Sequence, residues 1–191
     1  MTDKFKLISP LVEQMLKFAP LGESKMANNT MRYGRAPHIG VSAYLHELYP
    51  PLSNDEIKMM GRCINKEIPN HLISFYKECN GFNFFCDKLA IYGLRIQSSF
   101  QPYDLVTPNV DERLIDADDD MIFIGGYSWD GSRIYTKTDD SKIYICSPRS
   151  AKPLKSWGSM GQFIMQEVGR ISALFDSNGI IIDASKSTLP V

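Results

Sequence analysis

Acidic side chains are concentrated in one stretch of this 191-residue chain. Positions 104 to 120 hold seven acids and one base, Arg113, although the net charge of the whole chain is only −1. Like charges repel one another and stay hydrated, so this stretch belongs at the surface. It is either a solubilising loop that discourages edge-to-edge strand pairing or a contact surface for a basic partner. The acids of the candidate surface are Asp111, Glu112, Asp116, Asp118, Asp119 and Asp120.

Two aromatic residues and a further acid follow in a glycine-bounded turn. Tyr127, Trp129 and Asp130 lie between Gly126 and Gly131, close in sequence to the acids. A tryptophan in such a turn either anchors the core or contacts a partner at an interface. The same two alternatives apply to Tyr127. All three residues therefore join the acids as candidates for binding a partner.

Motifs that would support enzymatic catalysis are incomplete in this sequence. The glycine-bounded turn holds Ser128, but its second glycine is one residue too distant for the tight G-x-S-x-G turn of a hydrolase. His46 begins an H-E-x-x-H pattern in which Pro50 replaces the second histidine. A hydrolase whose site is assembled from the distant residues His71, Ser128 and Asp130 is a separate hypothesis. The sequence predicts a protein that is not an enzyme and has no cofactor.

Metal-binding patterns are incomplete as well. The run 116–120 has acids at the first three ligand positions of a calcium loop. Met121 then occupies the position of the turn glycine, and Tyr127 that of the closing glutamate. The four cysteines form no C-x-x-C pair, and the three histidines lie far from such a spacing. We expect no metal site, and we expect the cysteines to be packing residues rather than reactive thiols.

Apolar residues at steps of three and four predict helices near both ends of the chain. The first covers about 5–18, with Pro10 in its first turn. Ser53 opens a capping box that begins a second helix. Pro69 begins a third, which an Asn-Gly pair ends. A final helix begins near Ser159 and is stopped by another Asn-Gly pair.

Short runs of strand-forming residues separate these helices. Their spacing, with turn residues between them, predicts an antiparallel meander. The stretch 20–40 is instead rich in glycine, asparagine and basic residues. It predicts a long irregular connection or, alternatively, a basic contact surface. The predicted strands are 82–86, 89–92, 121–125, 133–137 and 142–146.

The order of helices, strands and a final helix predicts an α+β fold, with the last helix packed on a central sheet. The length suits a single domain, with an N-terminal extension and irregular connection over about 1–52. No apolar run approaches the roughly 18 residues that span a bilayer, and the first 15 residues do not form a signal peptide. We expect a cytoplasmic protein that binds neither a membrane nor, given its balanced charge, nucleic acid directly.

Several segments of the chain resemble domains of the SUKH superfamily. The segment 68–81, IPNHLISFYKECNG, is similar to the opening of those domains, in which a proline-started helix ends in Asn-Gly. LAIYG at 89–93 resembles their second strand, 122–144 resembles their central hairpin, and 157–175 fits their closing helix. The resemblance covers about 53–179 and is to the Smi/Knr-like branch.

This resemblance implies a protein-binding role without catalytic, cofactor-binding or metal-binding residues. Bacterial Smi/Knr-like members resemble immunity proteins of polymorphic or contact-dependent toxin systems, which bind a cognate toxin domain, often a nuclease, and block it. Eukaryotic relatives act as adaptors or regulators. We therefore expect an immunity protein whose acids imitate phosphate charge in a basic groove, or alternatively a regulatory adaptor without a toxin partner. Neither interpretation fixes the oligomeric state.

Overall fold

The computed structural model describes residues 6–96 and 99–191, and over these ranges it shows an α+β fold with five helices and one nine-stranded antiparallel sheet. The strands lie in the sheet in chain order, so each pairs with the next. The predicted fold class is therefore confirmed, with helices at both ends and the sheet between them. The helices are α1 (Ser9–Leu16), α2 (Asn54–Cys63), α3 (Asn70–Tyr76), α4 (Val106–Asn109) and α5 (Met160–Ser172). The strands are β1 (Glu23–Lys25), β2 (Met31–Arg35), β3 (Tyr44–Leu48), β4 (Phe82–Phe84), β5 (Leu89–Ile91), β6 (Met121–Gly126), β7 (Arg133–Lys137), β8 (Ile143–Ser147) and β9 (Ser150–Trp157).

Local capping groups begin the main helices where the sequence predicts. Ser53 accepts a hydrogen bond from the Glu56 N–H at 3.3 Å, and the Glu56 carboxylate accepts from the Ser53 N–H at 2.7 Å, which completes the capping box of α2. Ser159 accepts from the Gln162 N–H at 3.2 Å and begins α5. α1 carries its proline in the first turn, while residue 5 of its predicted range lies outside the described residues.

Two helices end earlier than the Asn-Gly pairs predict. α3 ends at Tyr76 and α5 at Ser172. Gly81 nevertheless has the left-handed φ of 86° that its place in the sequence requires. A Cβ there would lie 2.3 Å from the carbonyl oxygen of Ile91. This glycine therefore allows the chain to approach β5 closely as it enters β4, rather than ending the helix.

The stretch 20–40 is not the irregular connection that its composition predicts. It contains β1 and β2, and β3 follows, so the region before residue 52 adds three strands to the sheet. Gly34, one of the glycines of this stretch, lies inside β2. Gly34 has a left-handed φ of 73°, and a Cβ there would lie 3.0 Å from the Cβ of Phe18 and 3.2 Å from the Cβ of Leu45, so both the backbone conformation and close packing favour glycine.

The strand β9 is a further element that the sequence did not predict. It forms an edge of the sheet and pairs only with β8, with two register shifts. Its middle residues are mostly exposed and include Lys152, Pro153 and Lys155. Proline and lysine are typical of edge strands, but they remove the apolar alternation by which a strand is recognised.

The two faces of the sheet carry separate apolar clusters because side chains alternate along each strand. In β6, Ile122 and Ile124 face the main core, which also contains side chains of α1, α2, α3 and α5. Phe123 faces the opposite side with a smaller cluster from β6 to β9. That cluster is covered by Leu114 from the segment 111–120, which we call the acidic loop. The acidic loop thus lies on the face of the sheet opposite the main helices.

Candidate interaction surface

The meander places alternate connections at the same end of the sheet. One end, called here the Trp129 end, has the β4–β5, β6–β7 and β8–β9 turns. The other end, called the Lys137 end, has the start of β6 and the β7–β8 turn. The six residues of β6 separate the two ends by about 20 Å. Any candidate residue is therefore positioned by the end to which its strand leads.

The acidic loop is fixed to the sheet by one of its own acids. Asp116 accepts hydrogen bonds from the Ser150 hydroxyl at 2.7 Å and from the Ala151 N–H at 2.9 Å, both at the start of β9. These two bonds lower the pKa of Asp116, the serine bond contributing more. Arg113 donates to the carbonyl oxygens of Asp118 at 2.5 Å and Met121 at 3.2 Å. The loop is therefore an ordered cover rather than a loose acidic segment.

Neighbouring cations balance part of the charge of the acidic loop. Lys137 lies 3.0 Å from Asp120 and 3.4 Å from Asp118, and the hydrogen bond to Asp120 is the largest cause of its raised pKa. Arg133 lies 3.9 Å from Glu112 and donates to that residue's carbonyl oxygen at 2.7 Å. These pairs are partly solvent-exposed and stabilise the fold only weakly.

Two acids of the loop retain uncompensated charge. Asp111 and Asp119 are exposed, and their carboxylates make no hydrogen bond or ion pair to another described residue. Lys66 donates to the backbone oxygen of Asp119, not to its side chain. These two carboxylates are free for an external cation.

The turn between β6 and β7 holds Trp129 at the surface. Its indole is 42% exposed, so this side chain is not a core anchor. The turn is rigid because the Tyr127 N–H donates to the Ser132 oxygen at 2.9 Å and the Ser132 N–H donates to the Asp130 carboxylate at 2.8 Å. Asp130 is exposed beside Trp129. The structure therefore presents both as surface residues.

Tyr127 must be removed from the candidate contact residues. Its side chain is 2% exposed, and its hydroxyl donates to Glu167 at 2.8 Å. Glu167 is itself 1% exposed and is bound by Arg170 of the same helix at 2.6 Å. Burial, reinforced by the Glu167 charge, raises the pKa of Tyr127 well above its usual value. This tyrosine joins the sheet to α5 and cannot contact a partner.

The sequence places Trp129 near the acids, but the fold separates it from three of them. Asp118 and Asp120 pair with Lys137 at the Lys137 end, and Asp119 lies between them. Glu112 and Asp116 instead lie at the Trp129 end, through their bonds to β7 and β9. The acidic loop therefore runs along β6, with Glu112 and Asp116 toward the Trp129 end and Asp118, Asp119 and Asp120 toward the Lys137 end. Sequence proximity alone could not show this division.

The three side chains of the hypothetical hydrolase site, those of His71, Ser128 and Asp130, are not brought together. His71 on α3 bonds to the Thr136 hydroxyl at 2.9 Å, deep in β7. Asp130 instead accepts from a backbone N–H of its own turn, and the Ser128 N–H donates to the Asp87 oxygen at 3.3 Å. The bonds of these residues lie at different ends of β7, so they form no nucleophile–base pair.

Sequence reasoning missed a polar cluster on the open part of the same sheet face. Glu47 pairs with Arg32 at 3.1 Å and accepts from the Tyr49 hydroxyl at 2.7 Å. Asp87 accepts from the Tyr103 hydroxyl at 2.7 Å, while burial raises its pKa. Arg32 and Glu47, and likewise Asp87 and Tyr103, lie on different elements, so no linear spacing predicts this cluster.

Comparison with known protein families agrees with the resemblance seen in the sequence. Residues 51–166, more than half of the chain, match the model of the SMI1 / KNR4 family (SUKH-1). The chain belongs to the SMI1 / KNR4 family. No curated protein is similar enough to this SUKH-1 chain to count as a match. The matched segment begins before α2 and reaches into α5, so it contains the acidic loop and the Trp129 turn.

Three further observations on this SUKH-1 protein concern metal ligands, membrane-spanning helices and the cysteines. Within residues 6–96 and 99–191, no group of three or more His, Cys, Asp or Glu side chains is arranged to hold a metal ion. Over the same ranges, none of the helices has the length and apolar character needed to cross a membrane. Cys79 and Cys146 are buried, and burial raises the pKa of both thiols. SUKH-1 membership is consistent with a domain that binds a protein partner.

Proposed function

We propose that this SUKH-1 protein is a non-catalytic immunity protein that binds a cognate bacterial toxin domain and blocks it. Family membership supports protein binding in general. The observation that carries the proposal is the acidic loop, which is held on the sheet by Asp116 and Arg113 while Asp111 and Asp119 remain exposed and unpaired. Such an immunity protein would act in the cytoplasm, where its toxin would otherwise reach its substrate.

Preorganisation makes this loop suitable for tight binding. A flexible acidic segment would lose conformational freedom when it met a partner, and that loss would reduce the affinity. Here the loop is already ordered by hydrogen bonds from the Arg113 side chain to backbone oxygens and by Leu114 packed on the sheet. The carboxylates are therefore displayed in fixed positions before any partner arrives.

The charge of the loop indicates the surface that it would cover. A nuclease toxin binds a polyanion and so presents a basic groove. Exposed carboxylates can occupy such a groove in place of phosphates, and long-range attraction speeds the encounter. Trp129 and Asp130 would add a second contact at the Trp129 end, on the same side as Glu112 and Asp116.

Co-expression tests this function. The toxin domain encoded beside this protein's gene is expressed with and without the protein, and the mixture is analysed by size-exclusion chromatography. We expect cells to survive only with the protein present and the two chains to co-elute. Cell death without a complex would contradict the proposal. A complex with a neighbouring domain that is not toxic would favour the adaptor alternative instead.

A further inference from the structure

The two outer strands of the sheet differ in how well they are protected against a further strand. β9 contains Pro153, which lacks a backbone N–H, and its Lys152 and Lys155 repel another basic strand. β1, at the opposite edge, has no proline and carries one acid and one base. In the described part of the chain β1 pairs with β2 alone, which leaves one side of its backbone open. A short charged edge strand can serve only to prevent aggregation, so openness alone is not an argument.

The outward backbone groups of β1 belong to Glu23 and Lys25. On either side of the strand, the Gly22 oxygen and the Met26 N–H each bond to the returning chain at 2.9 Å. Inward and outward groups alternate along an antiparallel strand, so Ser24 also directs its N–H and C=O toward β2. Glu23 and Lys25 therefore direct theirs away from the sheet, where a further strand can pair with them.

The side chains of Glu23 and Lys25 lie on the same face of the sheet. They pair in register with Tyr33 and Met31, which both pack in the main core. The raised pKa of Tyr33 is caused first by burial and then by the Glu23 charge, which agrees with this position. Glu23 and Lys25 are exposed, and neither belongs to an ion pair with another described residue. The edge thus displays an unpaired acid and an unpaired base on either side of Ser24.

We infer that β1 pairs antiparallel with β1 of a second copy of this chain, across a two-fold axis at Ser24, so that the sheet continues through both protomers. This axis sets Glu23 opposite Lys25 of the second copy, and Lys25 opposite its Glu23. Each position is a hydrogen-bonded pair that exchanges both N–H···O bonds, and opposite charges directly across two strands attract. A two-fold interface requires a self-complementary patch, which the sequence Glu-Ser-Lys provides. The charge pattern therefore selects a second copy over a foreign strand.

The expected dimer is weak and leaves the acidic loop free. A three-residue strand buries less than the roughly 1,200 Å² of a stable interface, so we expect a Kd of about 0.5 mM. At micromolar concentrations the protein is then a monomer. The acidic loop packs over β6 to β9, on the other side of the sheet from β1. The inference therefore does not depend on the proposed function.

Charge reversal tests this pairing by sedimentation equilibrium at low salt, from about 20 μM to about 1 mM protein. Glu23→Lys and Lys25→Glu each set like charges opposite one another, so each should raise the dimer Kd about tenfold. The double variant restores opposite charges and should return the Kd to within about twofold of wild type. An equimolar mixture of the two single variants should also associate. Lys58→Glu, at an exposed site on α2, changes the net charge as Lys25→Glu does and should leave the Kd unchanged.

Amide chemical shifts of the wild-type protein identify the strand that pairs. The Glu23 and Lys25 amide resonances should move as the concentration rises, because their N–H groups gain a hydrogen bond. The Ser24 N–H is bonded to β2 in both states and should move less. A protein that stays monomeric up to about 1 mM would overturn the inference. So would a dimer that is insensitive to the single charge reversals, that the double variant does not restore, or whose shifts lie outside β1.

Discussion

His46 is a buried histidine enclosed by aromatic rings. Its ring stacks on Phe84 with centroids 4.6 Å apart, and Phe18 and Phe85 contact it edge-on. Its Nδ1 accepts from the Phe85 N–H at 3.3 Å, which assigns the neutral form with an unpaired Nε2. Burial lowers the pKa of His46 to about 3. The sequence presented it only as part of a failed metal motif, whereas its role is in the core.

This buried histidine should make stability depend on pH. In the unfolded chain His46 titrates near its ordinary pKa of about 6.5, so below that pH unfolding takes up a proton. The stabilisation is complete above pH 6.5 and is lost as the pH falls toward 3, by up to about 1.4 kcal/mol per pH unit. Urea unfolding at pH values from 7.5 to 4.5 measures this loss in the free energy of unfolding. His46→Leu should reduce the slope of the free energy of unfolding against pH, whereas His38→Leu, at an exposed site, should not. An unchanged slope in His46→Leu would refute the role of His46 as a buried neutral histidine.

The buried Tyr127–Glu167 bond gives a second prediction at the residue scale. Tyr127→Phe removes the hydroxyl that bonds to the Glu167 carboxylate and leaves Arg170 as its remaining side-chain partner. Bonds to charged groups contribute about 1.5–3 kcal/mol, so the free energy of unfolding should fall by that amount. Denaturant unfolding checks this, with the exposed Trp129→Phe as control. A loss no larger than that of the control would place Tyr127 outside the core network.

At the scale of elements, the sequence correctly predicts those helix starts and strands whose signals come from residues close together in the chain. The capping box at Ser53, the cap at Ser159 and the central strands are correct because their signals lie within a few residues. The interior strand β2 and the edge strand β9 were missed because each contains a residue that is unfavourable in strands: Gly34 in β2 allows close packing, and Pro153 in β9 protects the edge. The sequence left Tyr127 open between the core and an interface because its hydrogen-bond partner lies 40 residues away.

The candidate surface shows the same limit. Charge alone predicts that the acidic loop is exposed, and Asp111 and Asp119 are. It does not predict that Asp116 is used to fasten the loop, because its bonds reach residues 34 and 35 positions away. Nor does it predict the separation of Asp118 from Trp129, which depends on the direction and length of β6. Sequence reasoning finds the charged element, and the topology decides which residues it brings together.

Loosening the acidic loop tests whether Asp116 holds it. Asp116→Ala removes the bonds to Ser150 and Ala151, so amide hydrogens of residues 113–118 should exchange about tenfold faster. Hydrogen-exchange mass spectrometry measures the rates. Asp111→Ala, which removes an exposed acid without such bonds, should leave them unchanged. Equal exchange in both variants would show that the loop is ordered by other contacts.

At the scale of the whole molecule, the sheet separates two kinds of surface. The main helices cover one face, and the acidic loop covers part of the other. A double change of Asp111 and Asp119 to lysine should slow association with the toxin domain about tenfold at low salt, and less at high salt, because screening weakens long-range attraction. Stopped-flow kinetics at two ionic strengths measure it.

The control for that experiment lies on the helical side and at the far edge of the sheet. Glu13 of α1 and Glu23 of β1 are exposed, and changing both to lysine alters the net charge equally. A specific acidic surface predicts that this variant associates nearly as fast as wild type. Equal slowing of both variants would mean that only the overall charge matters, and that the acidic loop is not the contact surface.

The central claim, that this SUKH-1 protein acts by binding another protein through the loop-bearing face, is tested most directly by titration calorimetry of the wild-type protein with the proposed cognate toxin domain. We predict a one-to-one complex with a Kd below about 1 μM. The toxin domain should be inactive in that complex. Absence of binding heat at concentrations up to about 100 μM, with the toxin domain fully active in the mixture, would contradict the account.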